Sequence, residues 1–383
     1  MTMKFDTLAV HAGAEPDPQT GALAQPIHLS TTFLHGPAGE RTEGLEYQRE
    51  DHPTQRRLQE ALAALENGER ALAFASGMAA ITAMLESLPG GSRVIIPDDC
   101  YSGLRTLAGE FLPERGIEAV AADLADLDAA RAACAQGAAL MWVETPSNPR
   151  MKICDIAALA SIAHAHGALL ACDNTFATPV LQQPLQLGAD VVMHSTTKYF
   201  GGHSDVLGGA LVFARADDLY ERVSHRRHIT GATLSPFSAW LTLRGCRSLP
   251  ARVRLHCANA SRLAGFLTDH PGIERVNYPG LQQHPGHAIA ARQMRGQEGM
   301  FGGMLSVQVR GSREATLAVA GKLKLFHNAT SLGGCESLVE HRASVEGANP
   351  VSPQNLLRLS VGLEDVEDLI ADWEQALESQ GGS

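Results

Sequence analysis

Lys198 stands directly after three hydroxyl residues and before a glycine-rich turn, in the segment His194-Ser195-Thr196-Thr197-Lys198-Tyr199-Phe200-Gly201-Gly202-His203-Ser204-Asp205. The run 189–193 just upstream, apolar apart from Asp190, reads as a buried strand. A lysine so placed can form a Schiff base with an aldehyde cofactor, while Ser195 and Thr197 offer hydroxyls to its phosphate. Asp173 closes the preceding strand-like run, 168–172, and is followed by Asn174-Thr175. Pyridoxal 5'-phosphate (PLP) asks for both groups: an amine for its aldehyde, and a carboxylate on its ring nitrogen, because a protonated pyridine accepts electrons from a carbanion better than a neutral one. Ser-x-Thr-Lys alone fits a surface lysine after a core strand equally well. The acid at one strand end with the lysine after the next is what favours PLP.

The elements that must position these groups form an α/β pattern. Strand-like runs at 94–96, 140–143, 168–172, 191–193 and 209–213 alternate with helical patterns such as 155–166, which Gly167 stops as a C-cap. Near-continuous apolar strands separated by helices predict a mostly parallel sheet covered on both faces. Ligands of such sheets bind beyond the carboxyl ends of the strands, where Glu144, Asp173 and Lys198 fall. The first 45 residues, rich in Pro, Gly and Thr, read as an arm that cannot fold alone. Residues 46–235 read as the cofactor-binding large domain. Residues 236–383 read as a smaller α+β domain, with a long helical region over 237–267, strands over 303–309 and a helical tail over 366–377.

Other groups fit around the cofactor. Ser76-Gly77-Met78 marks a strand–turn–helix junction whose backbone N–H groups suit a phosphate, although Ser-Gly before a helix is often plain capping. Tyr101, after Asp98-Asp99-Cys100, can stack on a pyridine ring or act as acid or base; an isolated tyrosine is also an ordinary packing residue. Arg358 is a charge inside the apolar run 356–361. Such an arginine needs a partner, and a substrate α-carboxylate gives a bidentate one; a structural ion pair serves as well. His284 and His287 lack a third ligand at metal spacing, so no metal is expected. There is no Gly-x-Ser-x-Gly elbow and no phosphate-binding Walker loop.

Composition excludes several rivals. The 383 residues, 44% hydrophobic and 19% charged, leave room for two domains with a substantial core. A net charge of −11 without a Lys/Arg cluster argues against nucleic acid or anionic membrane as partners. The 7 cysteines form no Cys-x-x-Cys pair and suit a reducing compartment. The start, Met1-Thr2-Met3-Lys4-Phe5-Asp6, lacks the apolar core of a signal peptide, and the apolar stretch 71–85 is too short for a membrane span. A cytoplasmic location is expected.

With these motifs set in order, the chain resembles the Cys/Met-metabolism PLP enzymes, the trans-sulfuration family of cystathionine γ-lyase, cystathionine γ-synthase, cystathionine β-lyase and methionine γ-lyase. The resemblance runs from His11-Ala12-Gly13 to the tail, through Glu46-Tyr47-Gln48-Arg49, Phe74-Ala75-Ser76-Gly77-Met78, Glu144-Thr145-Pro146-Ser147-Asn148-Pro149, Asp173-Asn174-Thr175, the Lys198 segment, Ser331-Leu332-Gly333-Gly334-Cys335-Glu336 and Arg358-Leu359-Ser360-Val361-Gly362. It implies a type I PLP fold. Lys198 would carry PLP covalently and shuttle protons, Asp173 would hold the pyridinium and Tyr101 would stack on the ring. Ser76, Gly77, Met78, Thr175, Ser195 and Thr197 would complete the cofactor site, joined by Tyr47 and Arg49 from a neighbouring subunit. Asn148, Ser331 and Arg358 would hold the substrate carboxylate. A dimer of dimers is implied.

The chain departs from the family at His52, where Asn is usual, and at Ser102-Gly103-Leu104-Arg105. It departs again at His341-Arg342-Ala343-Ser344-Val345-Glu346, in place of His-Pro-Ala-x-Met-Thr-His, and over a shortened stretch from there to Arg358. Glu46, with Glu336 further out, suits a substrate with a distal ammonium, so γ-elimination of cystathionine is the expected activity. The alternatives are γ-replacement of an O-acylhomoserine by cysteine, lysis of another γ-substituted amino acid, and a catalytically silent PLP-binding regulator.

Overall fold

Seven strands, β1 (Arg70–Phe74), β2 (Arg93–Pro97), β3 (Glu118–Ala122), β4 (Leu140–Glu144), β5 (Leu169–Asp173), β6 (Val191–His194) and β7 (Gly209–Phe213), form one sheet in the order β1-β7-β6-β5-β4-β2-β3. The computed structural model describes residues 3–294, 300–346 and 350–378. Strands β2 to β6 pair in parallel, and only β7 runs against its neighbours β1 and β6. Every residue of β4 is buried, as a strand covered on both faces requires. Alternation divides its side chains: Leu140 and Trp142 join the core under the helix Gly77–Leu85, while Met141 and Val143 join the one under the helix Ile156–Ala165.

The helix expected over 155–166 runs from Ile156 to Ala165, with the Asp155 carboxylate accepting from Ala158 N at 3.2 Å. Gly167 follows at φ 72°, the left-handed turn that glycine makes at least cost. The long helical region expected over 237–267 is instead two helices, Pro236–Cys246 and Leu249–Asp269. Pro250, second in the later helix, has no N–H to continue an earlier one, so a new helix starts there.

The second sheet comprises β8 (Ile273–Asn277), β9 (Met304–Val309), β10 (His327–Asn328), β11 (Leu338–His341) and β12 (Leu356–Ser360), in the order β10-β11-β12-β9-β8. Its core holds Leu357, Leu359 and Trp373, the last from the closing helix Val366–Glu378. Register sets Glu340 of β11 opposite Arg358 of β12. The N-terminal arm is not wholly irregular: its helix Phe5–His11 puts Ala9 into a core shared with Leu58 and Ala61. The rest of the arm leaves Leu23, Leu29 and Leu34 at 74%, 70% and 85% exposure. Among the described residues, no helix is long and apolar enough to cross a membrane.

Candidate active site

The carboxyl ends of β4, β5 and β6 open on one side of the large sheet. Glu144 and Asp173 are register partners there. Asp173 accepts from Thr175 N at 3.0 Å, and burial pushes its carboxyl up. Burial and the adjacent Asp173 charge push Glu144 well above the usual carboxylate range. Its Oε2 takes the backbone N–H of Tyr101 at 2.8 Å.

Behind these ends lies a buried polar network. Glu66, the last residue of the helix Pro53–Glu66, meets His194 Nε2 at 2.6 Å and accepts from Asn174 Nδ2 at 2.8 Å through one oxygen. That contact ties the residue before Ser195 and the residue after Asp173 to one side chain.

The helix Gly77–Leu85 begins in the same place, its N-cap Ser76 accepting from Ala79 N at 3.0 Å. A Cβ on Gly77 would lie 3.0 Å from Ser195 Cβ and 3.1 Å from Ser195 Oγ. Only a bare backbone lets the helix start approach the turn after β6 so closely, and the result is a cradle of N–H and hydroxyl groups for an anion.

Lys198 follows in that turn. Its Nζ donates to Ser331 Oγ at 2.7 Å, and burial, with Arg358 nearby, brings its ammonium down to about 8. Ser331 sits at φ 81°, a left-handed conformation that costs a non-glycine residue energy. In that conformation its hydroxyl faces Lys198 while its carbonyl accepts from Arg358 Nη2 at 3.0 Å. Arg358 also reaches Asn148 Oδ1 at 3.4 Å and pairs with Glu340 Oε2 at 2.9 Å. Burial lowers its guanidinium to about 10, still fully charged at neutral pH.

These groups border a cavity of about 490 Å³. Ser76, Gly77, Met78, Tyr101, Asn148, Asp173, Thr175, Ser195, Thr197, Lys198, Ser331 and Arg358, all singled out from the sequence, line it together. Tyr101 is 41% exposed, with a face free to stack on a planar ligand. The cavity suits PLP: an amine brought towards neutrality, a buried carboxylate for a ring nitrogen and an anion cradle at a helix start occupy one space.

Four expected site residues do not border their own chain's cavity. Glu46 pairs with Arg41 on the arm. Tyr47 is 45% exposed beneath the Arg49 guanidinium, 5.6 Å from its ring, and Arg49 donates to His228 O at 2.9 Å. Glu336 is turned away from the cavity and accepts from the Ser204 hydroxyl. His52 is likewise no cavity residue but the buried N-cap of the helix Pro53–Glu66, accepting from Gln55 N at 3.1 Å as an asparagine there would. Of the shortened stretch before Arg358, residues 347–349 lie outside the described residues.

Sequence reasoning missed Glu66 and Glu340 as parts of this architecture and marked Arg342 only as a departure from the family; Glu340 and Arg342 both line the cavity. Glu340 carries the signal used for Arg358, a charge within an apolar strand. Glu66, at the end of an amphipathic helix, carries none.

Fold and cavity together define a PLP-dependent enzyme acting on amino acids. The chain belongs to the Cys/Met metabolism PLP-dependent enzyme family, whose model matches residues 6–378. The cystathionine gamma-synthase of Mycobacterium tuberculosis is 48% identical over 377 residues, covering 97% of this chain and 96% of its own. The cystathionine gamma-lyase of Dictyostelium discoideum is 43% identical, covering 98% of each. A solved cystathionine gamma synthase from Xanthomonas oryzae pv. oryzae, in complex with aminoacrylate and cysteine, matches with a TM-score of 0.94 and 40% identity over 99% of this chain and 98% of that one.

Proposed function

We propose that this chain catalyses γ-replacement, in which cysteine displaces the acyl group of an O-acylhomoserine and cystathionine forms. The observation that carries this reading is likeness along the whole chain to proteins named cystathionine γ-synthase, at 48% identity against 43% for a γ-lyase. The expected γ-elimination rested on Glu46 meeting a distal ammonium, and Glu46 does not border its own chain's cavity. Glu46 adjoins Tyr47 and, like it, would act in a neighbouring subunit's site, so its placement does not choose between the two activities, and the likeness does.

When bound, PLP supplies an electron sink that lets the α- and β-protons and then the γ-substituent leave. In this reading Lys198 holds the cofactor, Asp173 keeps its ring nitrogen charged and Tyr101 covers one face of the ring. Ser76, Gly77, Met78, Thr175, Ser195 and Thr197 hold it at its phosphate end. Arg358, Asn148 and Ser331 take the α-carboxylate and fix which bond at Cα stands across the ring. Lys198 Nζ, brought to about 8, exchanges a proton near neutral pH and so serves to remove and return protons at Cα and Cβ. Tyr47 and Arg49 complete a neighbouring subunit's phosphate site. The exposed Leu23, Leu29 and Leu34 on the N-terminal arm just before Tyr47 support a homo-oligomer that covers them.

The test is an assay of purified holoenzyme with O-succinylhomoserine, O-acetylhomoserine, cystathionine and methionine, each with and without cysteine. Cystathionine formed from an acyl ester and cysteine should outpace 2-oxobutanoate formed from cystathionine. The reverse order would make the chain a γ-lyase.

A further inference from the structure

We infer that Arg342 anchors a second carboxylate at the far end of the substrate, so that the chain selects homoserine esterified with a dicarboxylic acid over homoserine esterified with a monocarboxylic one. The inference rests on the γ-replacement reading and adds to it the class of acyl donor.

Arg342 is the first residue after β11 and is only 6% exposed, yet it lines the same cavity as Lys198 and Arg358. Its hydrogen bonding is incomplete. Nη1 donates to Glu340 Oε2 at 2.6 Å. Nη2 stands 3.8 Å from Glu346 Oε1, beyond hydrogen-bond reach, and Nε has no partner among the described residues. A buried arginine in a purely structural ladder has its fork filled, because an unpaired buried donor is costly. Glu346 is in no position to close in, since its carboxylate already accepts from Val351 N and Ser352 N at 2.9 Å each and from Ser352 Oγ at 2.6 Å. Glu340 offers Arg342 a single oxygen, Oε2, which it shares with Arg358 at 2.9 Å. The guanidinium is therefore pinned at one corner and short of acceptors at the others, beside the space a substrate fills.

Charge points the same way. Arg105, Arg342 and Arg358 meet Glu340 and Glu346 in one connected group, Arg105 standing 3.9 Å from Glu346. One positive charge is left over. A homoserine ester of a monocarboxylic acid is a neutral zwitterion, whereas the ester of a dicarboxylic acid carries one net negative charge and balances the group. Cystathionine, with two ammonium and two carboxylate groups, is neutral. With Arg358, Asn148 and Ser331 on the α-carboxylate, Arg342 is the arginine of this group that also lines the cavity and is left for the distal one, Arg105 standing behind it off the cavity wall. A planar fork suits a carboxylate better than a lysine would.

The test reads binding rather than product. Holoenzyme without cysteine is mixed with O-succinylhomoserine or with O-acetylhomoserine, and the early change in cofactor absorption gives an apparent affinity for each. The succinyl ester should bind tighter by roughly tenfold to a hundredfold, the loss expected when one charge-assisted contact is absent. Arg342→Gln should bring the two esters near parity, with Arg342→Lys between. Equal affinities in the unaltered protein, a measurement that needs no variant to fold, would overturn the inference. So would equal loss on both esters in Arg342→Gln, the mark of a structural role. If the succinyl ester binds tighter but yields no cystathionine once cysteine is added, γ-replacement falls while the anchor stands.

Discussion

The two sides of the cavity are built on different principles. On the cofactor side, Asp173, Ser195 and Lys198 sit at or just past the ends of parallel strands, and a supporting hydrogen-bonded pair, Glu66 with His194, lies fully buried behind them. On the substrate side the ion pairs themselves are the wall: Arg358, Glu340 and Arg342 border the cavity and share one carboxylate oxygen. The first side is a seat whose supporting pair lies inside the protein, so a ligand meets groups already set. The second is a set of charges whose balance a ligand completes. In the proposed reading the seat holds the cofactor and the wall selects the substrate.

The largest effect should come from breaking the seat at its centre. Lys198→Ala should lower kcat roughly a hundredfold to ten-thousandfold, the range of a lost acid–base group, measured as cystathionine formed per site. Arg49→Ala should release PLP more readily, followed by dialysis and absorbance. After subunit exchange, the two inactive proteins mixed together should regain activity, because one site per hybrid dimer has both residues. No recovery despite demonstrated exchange would mean that each chain builds its own site.

Removing one member of each buried pair sharpens the contrast. Glu340→Gln should cost about 3–5 kcal/mol of stability in denaturant melts, since it leaves two buried arginines without their carboxylate, and Glu66→Gln about 1–3 kcal/mol, since it disturbs the hydrogen bonds to His194 and Asn174. They should differ in response to ligand. Substrate should raise the melting temperature of Glu340→Gln by more than that of the unaltered protein, because its carboxylates supply the missing charge to Arg358 and Arg342. For Glu66→Gln the rise should match the unaltered protein. Equal rises in both variants would dissolve the distinction.

A smaller effect concerns pH. In the cofactor-free protein Lys198 has its folded value lowered to about 8 from 10.5, so between those values the unfolded chain binds more protons than the folded one. Stability from this group therefore rises with pH across that window and is lowest below it, where both states are charged. Lys198→Met should flatten the rise and make the cofactor-free protein more stable at pH 7, as melts across the window would record. The smallest effect is at Ser331→Ala, which removes the hydroxyl that Lys198 touches. It should cost about 1 kcal/mol, a several-fold fall in kcat, with the bound cofactor's absorption retained.

The same contrast explains what was legible in the sequence. Each cofactor group is announced locally: Asp173 ends an apolar run, Lys198 follows one and Gly77 marks a turn into a helix. Twelve of the expected site residues accordingly share one cavity. The substrate wall depends on which strands pair and in what register. Glu340 meets Arg358 only because β11 and β12 run antiparallel with those residues opposite. Nothing within either strand states that. Arg342 stood out as a departure from the family, yet its partners come from two places, Glu340 and Glu346. Glu66 was invisible because its partners, Asn174 and His194, come from other elements. The break between the helices Pro236–Cys246 and Leu249–Asp269 was written in Pro250, and the tether of the arm in the short helix Phe5–His11, too brief for a periodic signal.

The central claim is that one lysine carries the cofactor and everything else is arranged around it. Reducing the holoenzyme with borohydride, digesting it and mapping the pyridoxyl adduct tests that claim most directly. The account predicts a single modified peptide containing Lys198. An adduct on Lys4, Lys152, Lys322 or Lys324, with Lys198 unmodified, would contradict it.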